Sequence, residues 1–192
     1  MKQNLVNKAF RKVDRKLFAP KEYQGLTYSD TPIPLDGDSS ISQPSLVAEM
    51  IELLKLTGKE SVLEIGTASG YSAAILSYCC RKVDTVEINP RLAKAAKVRL
   101  KALGYKNIVV HIGDGTLGLP AKAPFDAIVV TAAAREIPNA LVEQLAIGGR
   151  IVIPVGDINS EMQQLIVGIK TKNKLLTKQV ASVRFVPLVS RE

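Results

Sequence analysis

From Gly58 onward, short runs of apolar residues alternate with stretches in which apolar residues recur every three or four positions. The short runs predict strands, and the stretches with the longer period predict helices. We expect helices over 71–80, 90–103 and 138–145, and strands over 61–65, 83–88, 107–112, 125–130 and 149–156. Strands that alternate with helices are typical of a parallel sheet covered on both faces, so the pattern predicts a doubly wound α/β fold.

The two ends of the chain carry different patterns. Apolar residues at helical spacing predict a helix over 2–17 and another over 44–54, where Pro44 occupies the first position. Between them, residues 18–44 are rich in Pro, Gly, Asp and Ser and predict a long loop, a kind of segment that is usually functional or disordered. Residues 162–170 and 177–187 flank the turn "TKNK" and predict an antiparallel hairpin at the sheet edge.

These elements predict a mostly parallel sheet of seven strands within one domain. The chain has 192 residues, which is enough for a single domain with a substantial core. We expect three parts in sequence order. The N-terminal helix, the loop and the lead-in helix occupy 1–57, an α/β core occupies 58–156, and the C-terminal hairpin occupies 157–192.

Composition limits the classes to which the protein can belong. Hydrophobic residues make up 46% and charged residues 23% of the chain, as in ordinary globular proteins. No apolar run reaches the length of a membrane span, and the polar start "MKQNLVNKAF" is unlike a secretory signal. The two cysteines, Cys79 and Cys80, are adjacent and suit no disulfide framework, so we expect a reduced, cytoplasmic protein. With His111 as the single histidine, a usual zinc set is not available, and we expect no metal site.

The net charge of +8 raises the question of nucleic-acid binding. The lysines and arginines are spread over the first helix, residues 81–106 and residues 170–192. A scatter of this kind favours a solvated basic surface over a phosphate-binding face. A nucleic-acid partner is therefore the less favoured interpretation of the charge.

Candidate binding residues lie at the ends of the predicted strands, where open parallel sheets bind their ligands. At the first of these ends, in the stretch "VLEIGTASGY", small residues follow a carboxylate. Small residues let a ligand approach the backbone, although a generic strand-to-helix turn has the same composition. The candidate residues of this stretch are Glu64, Gly66, Thr67, Ala68, Ser69 and Gly70.

Two further strand ends carry acidic residues. Glu87 lies 21 residues after Gly66, a spacing at which a carboxylate can accept hydrogen bonds from two ribose hydroxyls. Asp114, in "GDG", lies at another strand end, where it can reach an adenine amino group. The simpler alternatives are a surface carboxylate for Glu87 and an ordinary Asp-Gly turn for Asp114. Taken with the glycine turn, Glu87 favours a nucleoside ligand.

The turn also discriminates between nucleoside ligands. A dinucleotide site usually reads G-x-G-x-x-G and places the pyrophosphate on a helix N-terminus. Here the turn reads G-T-A-S-G and follows Glu64, whose carboxylate would repel a pyrophosphate but suits a cationic or amino-acid-bearing ligand. This combination indicates S-adenosylmethionine, whose methionine end carries an ammonium and a sulfonium.

Several motifs together resemble the protein-L-isoaspartate O-methyltransferases, a family of class I enzymes that use S-adenosylmethionine. They extend over nearly the whole chain and include "SISQPSLVAEMIELL", "VLEIGTASGYSAAIL", "GDGTLGLP", "APFDAIVVTAAAREIP" and "VRFVPLV". The resemblance implies a Rossmann-like fold whose α/β core binds the cofactor. It also implies that the glycine turn and Glu87 with Ile88 bind the cofactor, and that Asp114 with Gly115 contacts its adenine side.

The same resemblance assigns the acceptor side of the site. Ser42 matches the serine that has the active-site role in this family, and Ser40 and Ile41 complete the substrate-binding stretch. From spacing alone, capping of the following helix is the simpler role for both serines. The resemblance further implies that the loop 18–44 covers the substrate and that residues 183–189 form another wall.

The implied reaction is methyl transfer to the free α-carboxylate of L-isoaspartyl residues in damaged proteins, with S-adenosylhomocysteine as the second product. The methyl ester then closes to a succinimide, which starts repair. We expect a monomer that binds neither nucleic acid nor membranes. Two alternatives remain: a related methyltransferase that acts on RNA or a small metabolite, and a cofactor-binding paralogue without repair activity.

Three features depart from the pattern of the family. Ala68 replaces the middle glycine of the usual G-T-G-S-G turn, Asp38 and Ser39 replace a common Gly-Gln pair, and the first helical segment is short. A positive φ at Ala68 would cost on the order of 1 kcal/mol, and we expect a slightly altered cofactor fit. Asp38 close to a carboxylate substrate would weaken binding by charge repulsion.

Overall fold

The computed structural model describes residues 5–37, 39–157, 160 and 162–190. Its helices are α1 (Leu5–Lys12), α2 (Pro44–Leu53), α3 (Tyr71–Ser77), α4 (Pro90–Ala102) and α5 (Asn139–Gln144). Its strands are β1 (Ile33–Pro34), β2 (Ser40–Ile41), β3 (Ser61–Ile65), β4 (Lys82–Glu87), β5 (Ile108–Ile112), β6 (Phe125–Val130), β7 (Leu145–Val155), β8 (Gln163–Lys170) and β9 (Leu175–Val183). Within these described ranges, no helix is both long and apolar enough to span a membrane.

Seven of the strands form one sheet in the order β5-β4-β3-β6-β7-β8-β9. Neighbours from β5 to β7 pair in parallel, and β8 and β9 add to the edge in antiparallel orientation. The chain runs outward from β3 to β5 and then returns to β6 on the other side of β3, so the strand order reverses there. The predicted mostly parallel sheet with an antiparallel C-terminal hairpin is confirmed, and its switch point is where such folds bind ligands.

The side chains of β3 explain why helices cover both faces of the sheet. Val62 packs in a core cluster with residues of α1, α2 and α3, whereas Leu63 and Ile65 pack in a second cluster with residues of α5 and β7. Successive side chains of a strand point to opposite faces, so a strand without polar alternation requires cover on both. Glu64 is the polar exception on the face that Val62 occupies.

The predicted helix over 2–17 is wrong in its C-terminal part. Helix α1 ends at Lys12, and a 3₁₀ turn follows over Arg15–Leu17. Asp14 explains the break, because its backbone is extended (φ −75°, ψ 109°) and its side chain accepts a hydrogen bond from Lys16 N at 2.9 Å. Aspartate side chains compete with helical hydrogen bonds in this way and cap the turn that follows.

The segment 18–44 is more ordered than the predicted loop. It contains a 3₁₀ turn over Lys21–Leu26 and the short antiparallel pair of β1 and β2. Ile33 and Ile41 face each other across this pair and are both buried in the core. The hydrophobic contacts of these two isoleucines therefore fix the segment to the rest of the fold.

Other element ends differ from the sequence prediction by a few residues. Helix α3 is shorter than 71–80, and β7 begins at Leu145, which was the expected last residue of helix 138–145 and lies four residues before the expected strand 149–156. Strand β9 ends at Val183 instead of reaching residue 187. The reason is visible at Phe185, whose N–H donates to a side-chain oxygen of Gln163 at 2.9 Å instead of to a neighbouring strand.

Candidate functional site

A cavity of about 1200 Å³ lies beyond the carboxyl ends of β3, β4 and β6, at the switch point of the sheet. Its walls come from the glycine turn, from the residues around the start of α2, and from the end of β9 with the segment that follows. Most of the predicted site residues line it: Ser40, Ile41, Ser42, Gly66, Thr67, Ala68, Ser69, Glu87, Ile88 and Gly115. The other predicted residues, Glu64, Gly70 and Asp114, do not line the cavity.

The glycine turn has the backbone conformation that its sequence suggests. Gly66 and Gly70 have φ values of 98° and 88°, a region that favours glycine. A Cβ atom at Gly66 would collide with Thr131 Oγ1. That hydroxyl donates toward the carbonyl oxygens of Ile65 and Gly66, each at 3.0 Å. The close approach of Thr131 therefore fixes the turn against the end of β6.

Ala68 adopts a positive φ of 47°, which is the left-handed conformation that strains a residue with a Cβ atom. In this conformation its N–H donates to Glu87 Oε2 at 2.8 Å. Glu87 Oε1 accepts a second backbone hydrogen bond, from Asn89 N at 2.9 Å. The turn thus orients the Glu87 carboxylate at the cavity wall with two backbone donors.

We expect the substitution Ala68→Gly to raise the free energy of unfolding by about 0.5–1 kcal/mol, because relief of roughly 1–2 kcal/mol of left-handed strain exceeds the entropic cost of glycine. Urea unfolding followed by circular dichroism measures the change. Ala95, exposed on α4, is the matched control, since the same substitution in a helix is expected to lower stability by about 0.5–1 kcal/mol. Equal losses in both variants would show that Ala68 is not strained.

Glu64 lies beneath the turn and is completely buried. Its Oε2 accepts a hydrogen bond from Thr85 Oγ1 at 2.6 Å, and Thr85 Oγ1 lies 2.7 Å from Thr67 Oγ1. Burial raises the pKa of Glu64 to about 7, although the hydrogen bond from Thr85 opposes the shift. Two threonine hydroxyls therefore separate this carboxyl from the cavity that Thr67 lines.

Asp114 has the geometry of the simpler of its two interpretations. Its side chain accepts hydrogen bonds from Thr116 N at 2.8 Å and from Thr116 Oγ1 at 2.6 Å, so it caps the 3₁₀ turn Gly115–Leu117. Gly115, next to it, lines the cavity, and a Cβ there would collide with Ile65 Cγ2. The Asp-Gly turn therefore packs on β3 and contributes backbone to the wall, while an adenine contact by Asp114 stays a prediction.

The serines before α2 do not have the capping role that spacing alone favours. The N-cap of α2 is Gln43, whose side chain makes no capping hydrogen bond. Asp30 takes this role from the preceding segment, because its Oδ1 accepts from Ser45 N at 2.8 Å. This backbone hydrogen bond also lowers the pKa of Asp30. The hydroxyls of Ser40 and Ser42 have no hydrogen-bond partner among the described residues and remain available at the cavity wall.

Arg15 is a buried residue that the sequence analysis missed. Its guanidinium donates to three backbone carbonyls, from Nη1 to Ser29 O at 3.0 Å and from Nη2 to Thr31 O at 2.7 Å and Ser42 O at 3.1 Å. It also lies over the ring of Tyr71, with 5.8 Å between the guanidinium carbon and the ring centroid. Burial lowers the pKa of Arg15. In the sequence, Arg15 is an arginine near a helix end that precedes a proline-rich segment. This pattern does not indicate which groups its side chain contacts.

The segment 184–189 forms the opposite wall, as the resemblance implied. Ala133, three residues after the end of β6, fixes this segment, with Ala133 N donating to Val186 O at 2.8 Å and Leu188 N donating to Ala133 O at 2.7 Å.

Arg184 is the single cationic side chain among the described residues that line the cavity. Ser39 also lines the cavity, whereas Asp38 lies outside the described residues.

Residues 1–192 match the family model described as Protein-L-isoaspartate(D-aspartate) O-methyltransferase (PCMT). The chain belongs to this family. The resemblance inferred from the motifs is therefore confirmed over the full length of the sequence. Membership agrees with the fold, because the motifs that carry the resemblance surround one cavity at the switch point.

Named relatives in this isoaspartate methyltransferase family are similar over most of their length. "Protein-L-isoaspartate O-methyltransferase 2" of Pelobacter propionicus is 49% identical over 185 residues, which cover 96% of this chain and 82% of the relative. "Protein-L-isoaspartate O-methyltransferase" of Ignicoccus hospitalis is 44% identical, with 100% of this chain and 92% of the relative covered. These identities place the chain well inside the family.

Solved structures of the same family share the fold. One named protein-L-isoaspartate O-methyltransferase has a TM-score of 0.88 and 32% identity, and the match covers 96% of this chain but 61% of that one. Another, from Plasmodium falciparum, is described as a putative protein-L-isoaspartate O-methyltransferase in complex with S-adenosyl-L-homocysteine. It has a TM-score of 0.82 at 23% identity and covers 100% of this chain and 93% of that one, which shows the common fold.

Proposed function

We propose that this protein is a protein-L-isoaspartate O-methyltransferase that methylates the free α-carboxylate of L-isoaspartyl residues in damaged proteins and peptides. The observation that carries the proposal is one cavity, which combines the glycine turn and Glu87 with the hydroxyls of Ser40 and Ser42, neither of which has a hydrogen-bond partner in the described part of the chain. Family membership over residues 1–192 supports the assignment of this cavity to cofactor and substrate. The resulting methyl ester closes to a succinimide, which reopens partly as normal aspartate.

The residues of the turn fit S-adenosylmethionine as the cofactor. Bound at this turn, the cofactor supplies an electrophilic methyl group on a sulfonium and leaves as S-adenosylhomocysteine. Glu87 is held by two backbone N–H groups, so its remaining lone pairs are available for ribose hydroxyls. Asp114 and Gly115 are proposed for the adenine side, and Thr67, Ala68 and Ser69 for the methionine end. Glu64 supports this end through Thr85 and Thr67.

The acceptor group places few demands on the protein. An α-carboxyl group has a pKa of roughly 3.3–3.7, so it is ionised at neutral pH and needs no general base. The work of the protein is then to hold one carboxylate oxygen in line with the methyl group that it attacks. Hydroxyl donors at Ser40 and Ser42 orient this carboxylate without forming an ion pair that would lower its nucleophilicity.

The space around the acceptor also suits a peptide. Thr131 and Ala132, after β6, line the cavity with short side chains, and the hydroxyl of Thr131 is engaged with the glycine turn. A peptide backbone can therefore pass close to the methyl group. Arg184, which is the single cation among the described residues of the wall, complements an anionic acceptor. These features favour a peptide carboxylate over the RNA or small-metabolite alternatives.

The test is methyl transfer from radiolabelled S-adenosylmethionine to three acceptors: an isoaspartyl peptide, its normal aspartyl twin and bulk RNA. We expect labelling of the isoaspartyl peptide alone, and base-labile label because the product is an ester. Equal labelling of the aspartyl twin, or labelling of RNA alone, would overturn the proposal. Binding of S-adenosylhomocysteine without transfer to any acceptor would identify a cofactor-binding paralogue instead.

The substitution Ser42→Ala is expected to lower kcat for the isoaspartyl peptide about tenfold, because a hydrogen bond to a charged group contributes roughly 1.5–3 kcal/mol. The affinity for S-adenosylhomocysteine, measured by calorimetry, is expected to stay within about twofold, since Ser42 lies on the acceptor side. The matched control is Ser77→Ala, whose hydroxyl donates within α3 to Ala74 O at 2.7 Å. An unchanged kcat in Ser42→Ala would remove this serine from the site.

We also propose that the chain acts as a single methyltransferase domain, as a monomer in the cytoplasm. The thiols of Cys79 and Cys80 are buried, and burial raises their pKa values to about 11 and about 12. Little thiolate is then present at neutral pH, which suits two cysteines that stay reduced. Size-exclusion chromatography with light scattering tests the oligomeric state, and a stable dimer would contradict the proposal.

A further inference from the structure

The guanidinium of Arg15 joins parts of the site that are far apart in sequence. Its three carbonyl partners belong to residues 14, 16 and 27 positions further along the chain. Two of them, Ser29 and Thr31, lie in the middle of the segment 18–44 that the family resemblance assigns to the substrate, and Ser42 lies near its C-terminal end. We infer that Arg15 is a positioning residue that holds this segment so that the Ser42 hydroxyl faces the cavity. The inference rests on the proposed function of Ser42.

The partners of Arg15 argue for a positional role over simple stability. Its side chain is 5% exposed, so the charge has lost most of its hydration. Among the described residues, the hydrogen-bond partners of its guanidinium are carbonyls, and no carboxylate lies within ion-pair distance of it. A buried cation costs free energy that a well-packed apolar side chain would not. The guanidinium group, however, has a rigid planar arrangement of N–H donors that can hydrogen-bond to three carbonyls at once.

Ser42 is held through its own main chain. Arg15 Nη2 donates to Ser42 O, and this contact leaves the Ser42 side chain free to point at the cavity. On the other side of α2's first turn, Asp30 Oδ1 accepts from Ser45 N. The two contacts fix the backbone before and after Gln43, and both come from the segment 15–31. Ser42 therefore has a set position before any substrate is bound.

The same guanidinium reaches the cofactor side of the cavity. Tyr71, over whose ring it lies, follows Gly70 directly and begins α3. The ring of Tyr71 is also packed edge-on against Phe18, with 5.6 Å between centroids. Arg15 thus contacts the acceptor segment and the first residue after the glycine turn. A change at Arg15 alters the alignment of Ser42 with the methyl group more than it alters the turn itself.

The test compares Arg15→Ala, Arg15→Lys and the control Arg11→Ala, a change at an exposed cation on α1. We expect kcat/KM for the isoaspartyl peptide to fall about tenfold in Arg15→Ala, with the affinity for S-adenosylhomocysteine changed by less than about threefold. Arg15→Lys retains part of the activity, because an ammonium cannot span three carbonyls. Arg11→Ala behaves as the wild type.

Chemical rescue separates positioning from general stability. Guanidinium chloride, far below the concentrations that unfold proteins, is expected to restore several-fold the activity of Arg15→Ala and to leave Arg11→Ala unchanged. Amide hydrogen exchange of residues 39–45 is expected to become faster in both Arg15 variants. If Arg15→Ala does not fold, faster exchange is expected in Arg15→Lys alone. The inference would be overturned if the Arg15 variants kept both wild-type hydrogen exchange and wild-type activity. It would also be overturned if they lost cofactor affinity and activity to the same extent and guanidinium restored neither. Absence of transfer by the wild type would instead overturn the proposed function.

Discussion

Replacing Glu64 with Gln is expected to make the stability of this protein less sensitive to pH. Burial raises the pKa of Glu64 from 4.5 to about 7, and the nearby charge of Glu87 acts in the same direction. The folded state therefore binds the Glu64 proton more tightly than the unfolded state does. The stability that this proton contributes is fully present below pH 4.5 and is lost as the pH rises through about 7.

The size of this effect follows from the shift in pKa. A difference of one pKa unit corresponds to 1.36 kcal/mol, so the shift of Glu64 corresponds to about 3 kcal/mol between acidic and slightly alkaline solution. The Glu64→Gln variant has no titrating group at this position. Its unfolding free energy, relative to the wild type, is expected to increase by about 3 kcal/mol from pH 4.5 to about 8.

Urea unfolding at a series of pH values measures this relative stability. The change of the difference with pH is the decisive quantity, because a Gln side chain also alters the hydrogen bond with Thr85 by an amount that does not depend on pH. Cys80, a titratable group that is also close enough to interact with Glu64, keeps its proton over this range, since burial raises its pKa to about 12. The control is Glu136→Gln, a change at an exposed carboxylate. A constant difference for Glu64→Gln would mean that Glu64 is ionised in the folded protein.

Glu64 also shows what the sequence can and cannot predict about this site. Its place at the end of β3 follows from the run of apolar residues, and that placement is correct. Its direction does not follow from the sequence, because the register pairs Glu64 with Thr85 on the face that α3 covers. The carboxyl therefore lies beneath the turn, and Thr67 lines the cavity in its place.

The fold was more predictable than the contacts that support the site. Short apolar runs and a period of three to four residues are local features, so they predict the strands and helices of the α/β core. The carbonyl contacts of Arg15 join residues 14 to 27 positions apart, and no local period encodes them. The capping of α2 by Asp30 is likewise set by the path of the chain between them. The sequence accordingly predicts that Ser42 is near a helix start and leaves open what its hydroxyl does.

Replacing Glu87 with Gln is expected to weaken S-adenosylhomocysteine binding about 30–100-fold, since hydrogen bonds to a charged group contribute roughly 1.5–3 kcal/mol. Both carboxylate oxygens of Glu87 accept a backbone N–H, from Ala68 at 2.8 Å and from Asn89 at 2.9 Å. A Gln side chain offers one acceptor oxygen and an amide nitrogen that cannot accept. One of the two N–H groups is therefore left without its partner, and the turn loses the contact that orients Ala68 or the one that orients Asn89.

Calorimetric titration with S-adenosylhomocysteine measures this loss, and Glu49→Gln is the matched control. Glu49 also lines the cavity, but it is exposed on α2 and accepts no backbone hydrogen bond from the described residues. Removal of its charge changes the electrostatic potential of the cavity without changing the glycine turn, so the dissociation constant is expected to shift by less than about threefold. Equal weakening in both variants would attribute the effect to charge alone. Unchanged binding in Glu87→Gln would show that the carboxylate does not hold the cofactor, because no other described acidic side chain lies at this end of the cavity wall.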